Sequence, residues 1–421
     1  MTDDTQKVFE DFAPGGGAAD IFAKAAQLEN YFRSHHYAQS YGSALGVSLA
    51  GPATRKPGLV EADGSRHEAL MLGSNSYLNL NTHPEVVAAA RAACEKYGYG
   101  TGAVSLYAGT TDLHRRLERA IADFYGVEDA IVFPCGYSSN VGIISALCGP
   151  GDVVINDAAN HASIFDGCRL SGAEVKVYLH NNMKHLEKVL KALPAEKKGR
   201  LIVTDGVFSM AGDLAPLAEI TALAARYGAR VMVDDAHGLG IVGPTGRGTA
   251  EKFGVLDKID LHAGVLSKSP GGLGGYCAAS AAVVRYLRFY ARTYFFSTSF
   301  PAPVAAGLIE VFRLFGEDKA GRAELWANVR ALLAGLKELG FDTGATESAI
   351  IPVIVGDELK LVALCNELRA RGVYANVVTY PAVRRKECRL RLCVMKSLTP
   401  EDIKTVLALF GELGRKYGLI K

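Results

Sequence analysis

The sequence predicts an α/β fold, with a mostly parallel sheet in a large domain and a smaller C-terminal domain. A chain of 421 residues is longer than a single hydrophobic core usually supports, so two domains are expected. Between about residues 70 and 300, short apolar runs alternate with helical stretches, which is typical of βαβ units. Beyond Pro301 the chain changes to long amphipathic helices with few strands. We therefore expect an N-terminal helical arm over 1–65, a large domain over 66–304 and a small domain over 305–421.

The predicted elements follow one another regularly along the chain. A "PGGG" break at 14–17 precedes "AADIFAKAAQLENYF", whose apolar spacing is helical. The stretches "HLEKVLKAL" and "LAEITALAARYG" predict two of the helices that connect the strands. Apolar, β-rich runs predict strands at 130–133, 152–156, 174–179, 200–205, 230–235 and 262–267 in the large domain, and at 349–355 and 388–394 in the small one.

Composition argues against several classes of function. The 46 basic and 44 acidic residues give a net charge of +2, which predicts no surface for nucleic acid or for an anionic membrane. Eight cysteines without a CxxC pair are typical of reduced thiols, so we expect a cytoplasmic protein without disulfides or a zinc site. No apolar run reaches about 18 residues and the N-terminus is acidic, so we expect neither a membrane-spanning helix nor a signal peptide.

Polar side chains follow three of the predicted strands. Asp234 and His237 end "VMVDDAHGLG", Lys268 follows the next strand, and His161 lies just past the "DVVIN" strand. Ligands of parallel α/β sheets bind at the carboxyl ends of the strands, so these residues mark a candidate site. We expect no metal there, because lysine is not an ordinary metal ligand and HExxH and paired cysteines are absent.

These residue types suit pyridoxal phosphate. Lysine can bind the cofactor covalently, and an aspartate can pair with the pyridinium nitrogen. The stretch "FPCGYSSN" leads from a strand into a helix, and the helix start offers backbone N–H groups to a phosphate at Gly136 and Tyr137. Structural alternatives stay open: Asp234 could cap a helix, and His237 could be a core histidine bonded to backbone. The order and strand-end placement of the residues together favour the cofactor site.

Seven motifs, all in family order, make the chain resemble the α-oxoamine synthases over roughly residues 70–410. These pyridoxal phosphate enzymes join an amino acid to an acyl thioester with loss of carbon dioxide. The motifs are "GSNSYLNL" (73–80), "NHASIFDGCRLSGA" (160–173), "TDGVFSMAGD" (204–213), "VDDAHGLGIVGPTGRG" (233–248), "LSKSPGGLGGY" (266–276), "FSTSFPAP" (296–303) and the "RLRLCV" strand.

The resemblance implies the type I fold of pyridoxal phosphate enzymes, with a seven-stranded sheet, and it implies roles around the cofactor. Lys268 would carry pyridoxal phosphate and move the α-proton of the substrate. Asp234 would pair with the pyridinium nitrogen, His237 would bond the ring oxygen, and His161 would stack on the ring. Ser209 would lie near the ring oxygen.

Further roles implied by the resemblance concern the phosphate and the substrate. Gly136 and Tyr137 would lie at the phosphate. Thr298 would reach the phosphate from a partner subunit, which implies a homodimer with shared active sites. Asn75 would lie near the amino acid, and Arg391 would bind its carboxylate.

The choice of Arg391 also has a basis in the strand pattern. In "RLRL" the side chains alternate, so Arg389 and Arg391 share one face of the strand. A guanidinium binds a carboxylate through two hydrogen bonds. An exposed arginine on an edge strand is the structural alternative. The family pattern favours Arg391 over Arg389.

Four positions depart from the family pattern. Val265 stands where threonine often donates to the phosphate, and Asn79 stands where glycine is usual. Ser105 replaces an arginine associated with the acyl thioester, and Leu398 replaces a histidine. The thioester could therefore be a carrier-protein thioester instead of a coenzyme A thioester.

We therefore expect a serine palmitoyltransferase-like acyltransferase that joins L-serine to a long-chain acyl thioester, with membrane contact only through its lipid substrate. Another enzyme of the family, using glycine or L-alanine as 8-amino-7-oxononanoate synthase or 2-amino-3-ketobutyrate ligase types do, is the first alternative. A catalytically silent partner subunit is the second, and the presence of Lys268 argues against it. A nucleotide-binding protein is the third; "GYGTGAVSLYAG" suggests it, but the stretch follows no strand.

Overall fold

The computed structural model describes residues 20–194, 196 and 199–421. The predicted break at 14–17 lies outside these residues. The strands of the described chain are β1 Ser48–Leu49, β2 Gly58–Val60, β3 Arg66–Glu68, β4 Leu70–Met71, β5 Asp129–Phe133, β6 Val153–Asp157, β7 Glu174–Tyr178, β8 Arg200–Asp205, β9 Arg230–Asp234, β10 Leu261–Val265, β11 Gly275–Ala279, β12 Ile350–Ile354, β13 Val373–Tyr374, β14 Asn376–Val378 and β15 Arg389–Cys393.

The α-helices fill most of the chain between these strands. They are α1 Ala23–Ser34, α2 His36–Leu45, α3 Pro84–Tyr97, α4 Asp112–Tyr125, α5 Gly136–Leu147, α6 Ala162–Ser171, α7 Met183–Lys191, α8 Leu217–Tyr227, α9 Thr249–Lys252, α10 Ala281–Tyr290, α11 Arg292–Phe295, α12 Ala302–Glu317, α13 Lys319–Glu338, α14 Glu358–Ala370 and α15 Pro400–Lys416.

The chain divides into two compact units. Unit 1 comprises the described part of Met1–Asn75, together with Met210–Gly212 and Leu325–Lys421. Unit 2 comprises Ser76–Ser209 and Asp213–Glu324. The predicted boundaries after residues 65 and 304 stay predictions.

A seven-stranded sheet forms the centre of unit 2. Its strand order is β5-β11-β10-β9-β8-β6-β7. Neighbouring strands from β10 to β7 pair in parallel, whereas β11 is antiparallel to both β10 and β5. The predicted mostly parallel seven-stranded sheet is confirmed.

Both faces of this sheet are covered, which explains its apolar strand sequences. Every residue of β6, β10 and β11 is buried. One core cluster packs Ile131 and Met232 against residues of α5 and α10, and a second packs Val153 and Val233 against α7 and α8. Continuous apolar runs are typical of strands enclosed on both sides. The carboxyl ends of the parallel strands are consequently left as the place where polar side chains gather.

Unit 1 contains three small sheets. β15 is the central strand of an antiparallel sheet, with β12 on one side and β14 on the other. β1, β2 and β3 form an antiparallel meander, and β4 pairs in parallel with β13. Because β15 is a central strand, its arginines do not lie on an edge strand.

No helix in the described ranges is long and apolar enough to cross a membrane.

Candidate active site

A cavity of about 240 Å³ opens at the carboxyl ends of the parallel strands in unit 2. Parallel strands bring these ends to one edge of the sheet, and β9, β10 and β6 each deliver residues to it. Seven of the ten site residues predicted from the sequence line this cavity: Gly136, Tyr137, His161, Ser209, Asp234, His237 and Lys268.

Asp234, the last residue of β9, presents a buried carboxylate to the cavity. Its side chain is 4% exposed. Asn140 Nδ2 donates to Oδ2 at 2.6 Å, and the backbone N–H of Ala236 donates to Oδ1 at 3.0 Å. Two donors on a buried carboxylate stabilise its charged form. The arrangement suits a carboxylate that pairs with a buried cation.

Asp235, the next residue, is not among the residues that line the cavity. Its Oδ2 accepts hydrogen bonds from the backbone N–H and the hydroxyl of Thr249. A Cβ atom built on Gly248 would lie 1.8 Å from Asp235 Oδ2, so the glycine lets the backbone approach the carboxylate. Asp235 therefore anchors the loop before α9, while Asp234 borders the cavity.

Lys268 and His237 are in direct contact. Lys268 Nζ lies 2.7 Å from His237 Nε2, and Tyr77 Oη lies 2.7 Å from His237 Nδ1. An ammonium group can only donate, so with a neutral imidazole Nε2 accepts from Lys268 and the Nδ1 proton points to Tyr77. His237 is 5% exposed, and Lys268 is half-buried. The amine is thus held in a fixed direction at the cavity.

His161 is the residue before α6 and caps that helix. Its Nδ1 lies 2.7 Å from Ser163 Oγ and accepts from the backbone N–H of Ser163 at 3.3 Å. Burial lowers the pKa of His161, while the charge of Asp234 raises this pKa and that of Lys268 lowers it; the net shift is downward. A neutral imidazole at the cavity wall is suited to lie against an aromatic ring.

The N-terminus of α5 forms another wall of the cavity. Gly136 is its first residue, and a Cβ there would lie 1.9 Å from Val265 Cγ1. Only glycine brings the backbone this close to the end of β10. Cys135 caps the helix with Ser138, whose hydroxyl accepts from the Cys135 N–H at 3.1 Å. Tyr137 is exposed and its hydroxyl donates to Asp166 Oδ2.

The donor set fits pyridoxal phosphate. A lysine amine, a buried carboxylate and an imidazole line one cavity, and the first turn of a twelve-residue helix borders it with backbone N–H groups. In the described part of the chain, no group of three or more His, Cys, Asp or Glu is placed to hold a metal ion.

Thr298 does not line the cavity of its own chain. It is exposed and forms an isolated antiparallel bridge with Val104. Next to this bridge, Ser105 Oγ lies 2.7 Å from Ser299 Oγ, and Ser105 is 6% exposed. The predicted action of Thr298 on a partner subunit stays a prediction.

The two predicted substrate residues meet in unit 1. Nη1 and Nη2 of Arg391 each donate to Asn75 Oδ1 at 3.2 Å, and Nη1 also lies 3.1 Å from Cys393 Sγ. Arg391 is 6% exposed on a central strand, which excludes the alternative of an exposed edge-strand arginine. Arg389 instead donates to the carbonyl oxygens of Glu387 and Met210.

Four contacting residues were not singled out from the sequence. Tyr77 bonds His237, Asn140 bonds both Asp234 and Ser163, and Asp205 lies at the end of β8 beside the cavity. All four stand in stretches quoted above: Tyr77 in "GSNSYLNL", Asn140 in "FPCGYSSN", Ser163 in "NHASIFDGCRLSGA" and Asp205 in "TDGVFSMAGD". Asn140 follows Gly136 by one helical turn, a spacing that places both on one helix face.

Comparison with known proteins agrees with this geometry. The family model for class I and II aminotransferases matches residues 67–410. The 8-amino-7-oxononanoate synthase of Symbiobacterium thermophilum is 44% identical over 353 residues, which cover 84% of this chain and 90% of that protein. The chain belongs to the α-oxoamine synthase family. The predicted family, and with it the class of enzyme, is confirmed.

Two further relatives extend the comparison. The 4-hydroxy-2,2'-bipyrrole-5-methanol synthase PigH of a Serratia species is 42% identical over 391 residues. That match covers 93% of this chain, and this chain spans 59% of the length of PigH. A solved structure of serine palmitoyltransferase with pyridoxal phosphate superposes with a TM-score of 0.89 and 36% identity, covering 95% of this chain and all of the other. The α-oxoamine synthase family is pyridoxal phosphate-dependent, so the predicted cofactor and type I fold are also confirmed.

Proposed function

We propose that this enzyme catalyses the decarboxylative condensation of an amino acid with an acyl thioester, giving an α-amino ketone and carbon dioxide. Besides membership of the α-oxoamine synthase family, one observation supports the proposal: Lys268 Nζ contacts His237 Nε2 in a cavity that Asp234 also lines. Bound pyridoxal phosphate supplies the electron sink that stabilises negative charge at the α-carbon of the amino acid.

The residues of unit 2 have distinct parts in this reaction. Lys268 would hold the cofactor through Nζ and would afterwards take and return the α-proton of the amino acid. His237 accepts from Nζ and so directs the amine. Asp234, which accepts from Asn140 and from the N–H of Ala236, would pair with the positive charge of the cofactor ring. His161, neutral because its pKa is lowered by burial, covers the ring. Gly136 and Tyr137 border the phosphate, with Ser209 near the ring oxygen.

The residues of unit 1 select the amino acid. Arg391 binds the carboxylate that leaves as carbon dioxide, because a guanidinium offers two parallel donors to it. Asn75 Oδ1 accepts from both terminal nitrogens of Arg391 at 3.2 Å, which fixes the plane of the guanidinium. Charge-assisted hydrogen bonds of this kind contribute about 1.5–3 kcal/mol each.

L-Serine is the proposed amino acid and a long-chain thioester the proposed acyl donor. Polar groups of Asn75 and His161 support a substrate with a hydroxyl group. A second candidate, L-alanine with another acyl thioester, is favoured by the 44% identity to an 8-amino-7-oxononanoate synthase. Ser105 is buried against Ser299 and offers no charged anchor, which supports a carrier-protein thioester beside coenzyme A.

The test is a titration of the cofactor-loaded enzyme with L-serine, L-alanine and glycine, following the absorption of the cofactor. We expect L-serine to give the tightest binding, because a site that bonds a hydroxyl loses hydrogen bonds with alanine. Each amino acid is then combined with short and long acyl groups on coenzyme A and on carrier protein, and carbon dioxide release is measured. Tight binding of alanine, with turnover only on a short thioester, would establish the second candidate. Arg391→Ala serves as the control with weakened amino-acid binding.

A further inference from the structure

A second buried carboxylate lies at the cavity beside Asp234. Asp205 is the last residue of β8, and in the parallel ladder it is the partner of Asp234 at the end of β9. Both residues line the cavity. Asp205 is 5% exposed and Asp234 is 4% exposed. Two acidic side chains therefore lie at one edge of the sheet, in the cavity that Lys268 also lines.

The two carboxyl groups differ in their hydrogen bonds. Both oxygens of Asp234 accept from donors, namely Asn140 Nδ2 and the N–H of Ala236. Oδ1 of Asp205 has no hydrogen-bond partner among the described residues. A buried oxygen without a partner is costly, and the cost is greatest when the group is charged. A proton on Asp205 removes that charge and turns the unpartnered oxygen into a possible donor.

The charged groups around Asp205 act in the same direction. Burial raises the pKa of Asp205 well above its ordinary range, and the charge of Asp234 raises this pKa further. Lys268 and the backbone N–H of His161 lower the pKa of Asp205, and Asp157 adds to the increase. Two neighbouring carboxylates do not both ionise easily. Asp234, with two donors, is the one placed to keep the negative charge.

We propose that Asp205 is a further cofactor-contacting residue, a neutral carboxylic acid that donates a hydrogen bond to the bound cofactor and leaves Asp234 as the only charged member of the pair. The inference rests on the proposed cofactor cavity and is independent of which amino acid or thioester reacts. A carboxylic acid in this position supplies a donor without adding a second negative charge beside the first.

Two substitutions of similar size separate the donor from the charge. Asp205→Asn keeps a donor and is always neutral, whereas Asp205→Leu removes the donor. Titrating the apoprotein with pyridoxal phosphate, we expect the dissociation constant of Asp205→Asn to stay within about twofold of wild type. Asp205→Leu should raise this constant about three- to tenfold, the range of one neutral hydrogen bond. Asp234→Asn, the matched control at the partner position, should raise it about ten- to a hundredfold.

The presence of a proton on the Asp205 carboxyl group is tested in the apoprotein, without the cofactor. An acid whose pKa is higher in the folded than in the unfolded chain stabilises the fold fully below the unfolded pKa, and this contribution is lost as the pH rises. Wild-type apoprotein should therefore lose stability relative to Asp205→Asn between pH 5 and pH 8, measured as the difference in melting temperature. Titrating groups that do not interact with residue 205 contribute equally to both proteins and cancel in the difference.

Three results would overturn the proposal. Asp205→Asn could weaken cofactor binding as much as Asp234→Asn, which would make Asp205 a charged partner. Asp205→Leu could bind the cofactor like wild type, which would exclude the hydrogen bond. The melting-temperature difference could be the same at pH 5 and pH 8, which would exclude the proton. If wild-type protein bound no pyridoxal phosphate, the proposed cavity would fail together with the hydrogen bond, and the unfolding comparison would still report the proton.

Discussion

Asp234 and Asp235 are consecutive residues with different surroundings. Asp234 faces the cavity and accepts from Asn140 and Ala236. Asp235 accepts from Thr249 Oγ1 at 2.8 Å, and burial raises its pKa to about 7. A strand directs successive side chains to opposite faces, so only one of the two can meet the ligand. Asp234 is thus placed to meet the ligand, whereas Asp235 holds the loop before α9.

We expect Asp234→Asn and Asp235→Asn to have separate effects. Asp234→Asn should lower turnover about 10²- to 10⁴-fold with little change in melting temperature, because it removes a charge at the cavity. Asp235→Asn should leave turnover nearly unchanged, because this side chain does not line the cavity and its amide oxygen can still accept from Thr249. Steady-state kinetics and thermal unfolding of both variants provide the measurement. A turnover loss confined to Asp235→Asn, at unchanged stability, would show that the wrong carboxylate has been assigned to the cofactor.

Arg391 and Arg389 point to the same face of β15 but contact different groups. Arg391→Ala should raise the dissociation constant of the amino acid about tenfold or more, since a charge-assisted hydrogen bond contributes about 1.5–3 kcal/mol. The thioester concentration at half-maximal rate should change little. Arg389→Ala, the matched control, loses contacts to backbone oxygens of Glu387 and Met210 and should mainly lower stability. The reverse pattern in the amino-acid titration would place the carboxylate at Arg389.

At the scale of elements, the first turn of α5 depends on the absence of a side chain at Gly136. A Cβ there would lie 1.9 Å from Val265 Cγ1. Gly136→Ala should therefore destabilise the apoprotein by about 1–3 kcal/mol, as overpacking does, and weaken binding of pyridoxal phosphate. Gly151→Ala, where a Cβ would meet nothing within 4 Å, is the control. Thermal unfolding and cofactor titration measure both effects.

The double variant Gly136→Ala with Val265→Ala makes this prediction specific. Removing the γ-carbons of Val265 makes room for the new methyl group, so the double variant should recover stability relative to Gly136→Ala. Equal damage in the single and double variants would mean that the glycine serves some other contact.

Sequence pattern predicted the parallel strands well and the antiparallel strand poorly. The runs at 200–205 and 230–235 correspond to Arg200–Asp205 and Arg230–Asp234, because buried parallel strands are continuous apolar runs. β11 Gly275–Ala279 was not predicted, since it follows directly on a glycine-rich loop and is short. Asn79 adopts a φ of 54°, a left-handed conformation that glycine and asparagine tolerate best. That conformation explains why asparagine can replace the usual glycine there.

Site residues were predictable where their side-chain type and position after a strand pointed to a function. They were not predictable where only the pairing of strands in the sheet brings them together. Lys268, Asp234 and the two histidines follow predicted strands. Because the carboxyl ends of parallel strands lie at one edge of the sheet, their positions in the sequence were enough to predict that they gather there. Asp205 and Asp234 are 29 residues apart, and only the pairing of β8 with β9 shows that they are neighbours. The central position of β15 likewise depends on pairing across the small sheet. Sequence periodicity carries no information on which strands are adjacent.

At the scale of the whole molecule, Thr298 of unit 2 lies outside the cavity that the other predicted cofactor-binding residues line. Thr298 is exposed, and its segment is held by the bridge to Val104. An exposed hydroxyl is accessible to a second copy of the chain. We therefore expect a homodimer in which each Thr298 completes the phosphate site of the partner.

Mixing two defective variants tests this arrangement. Lys268→Ala removes the lysine from one site, and Thr298→Ala should weaken binding of pyridoxal phosphate about tenfold or more by removing one charge-assisted hydrogen bond. If Thr298 acts across the interface, a hybrid dimer of the two variants has one site with both mutations and one site with neither. Mixtures exchanged through mild denaturation should then regain tight cofactor binding and turnover in up to half of the hybrid sites. If Thr298 acts within its own chain, no site of the hybrid is intact, and the mixture stays as weak as Thr298→Ala alone. Light scattering checks beforehand that each variant has twice the chain mass, so that a missing dimer cannot be mistaken for failed complementation.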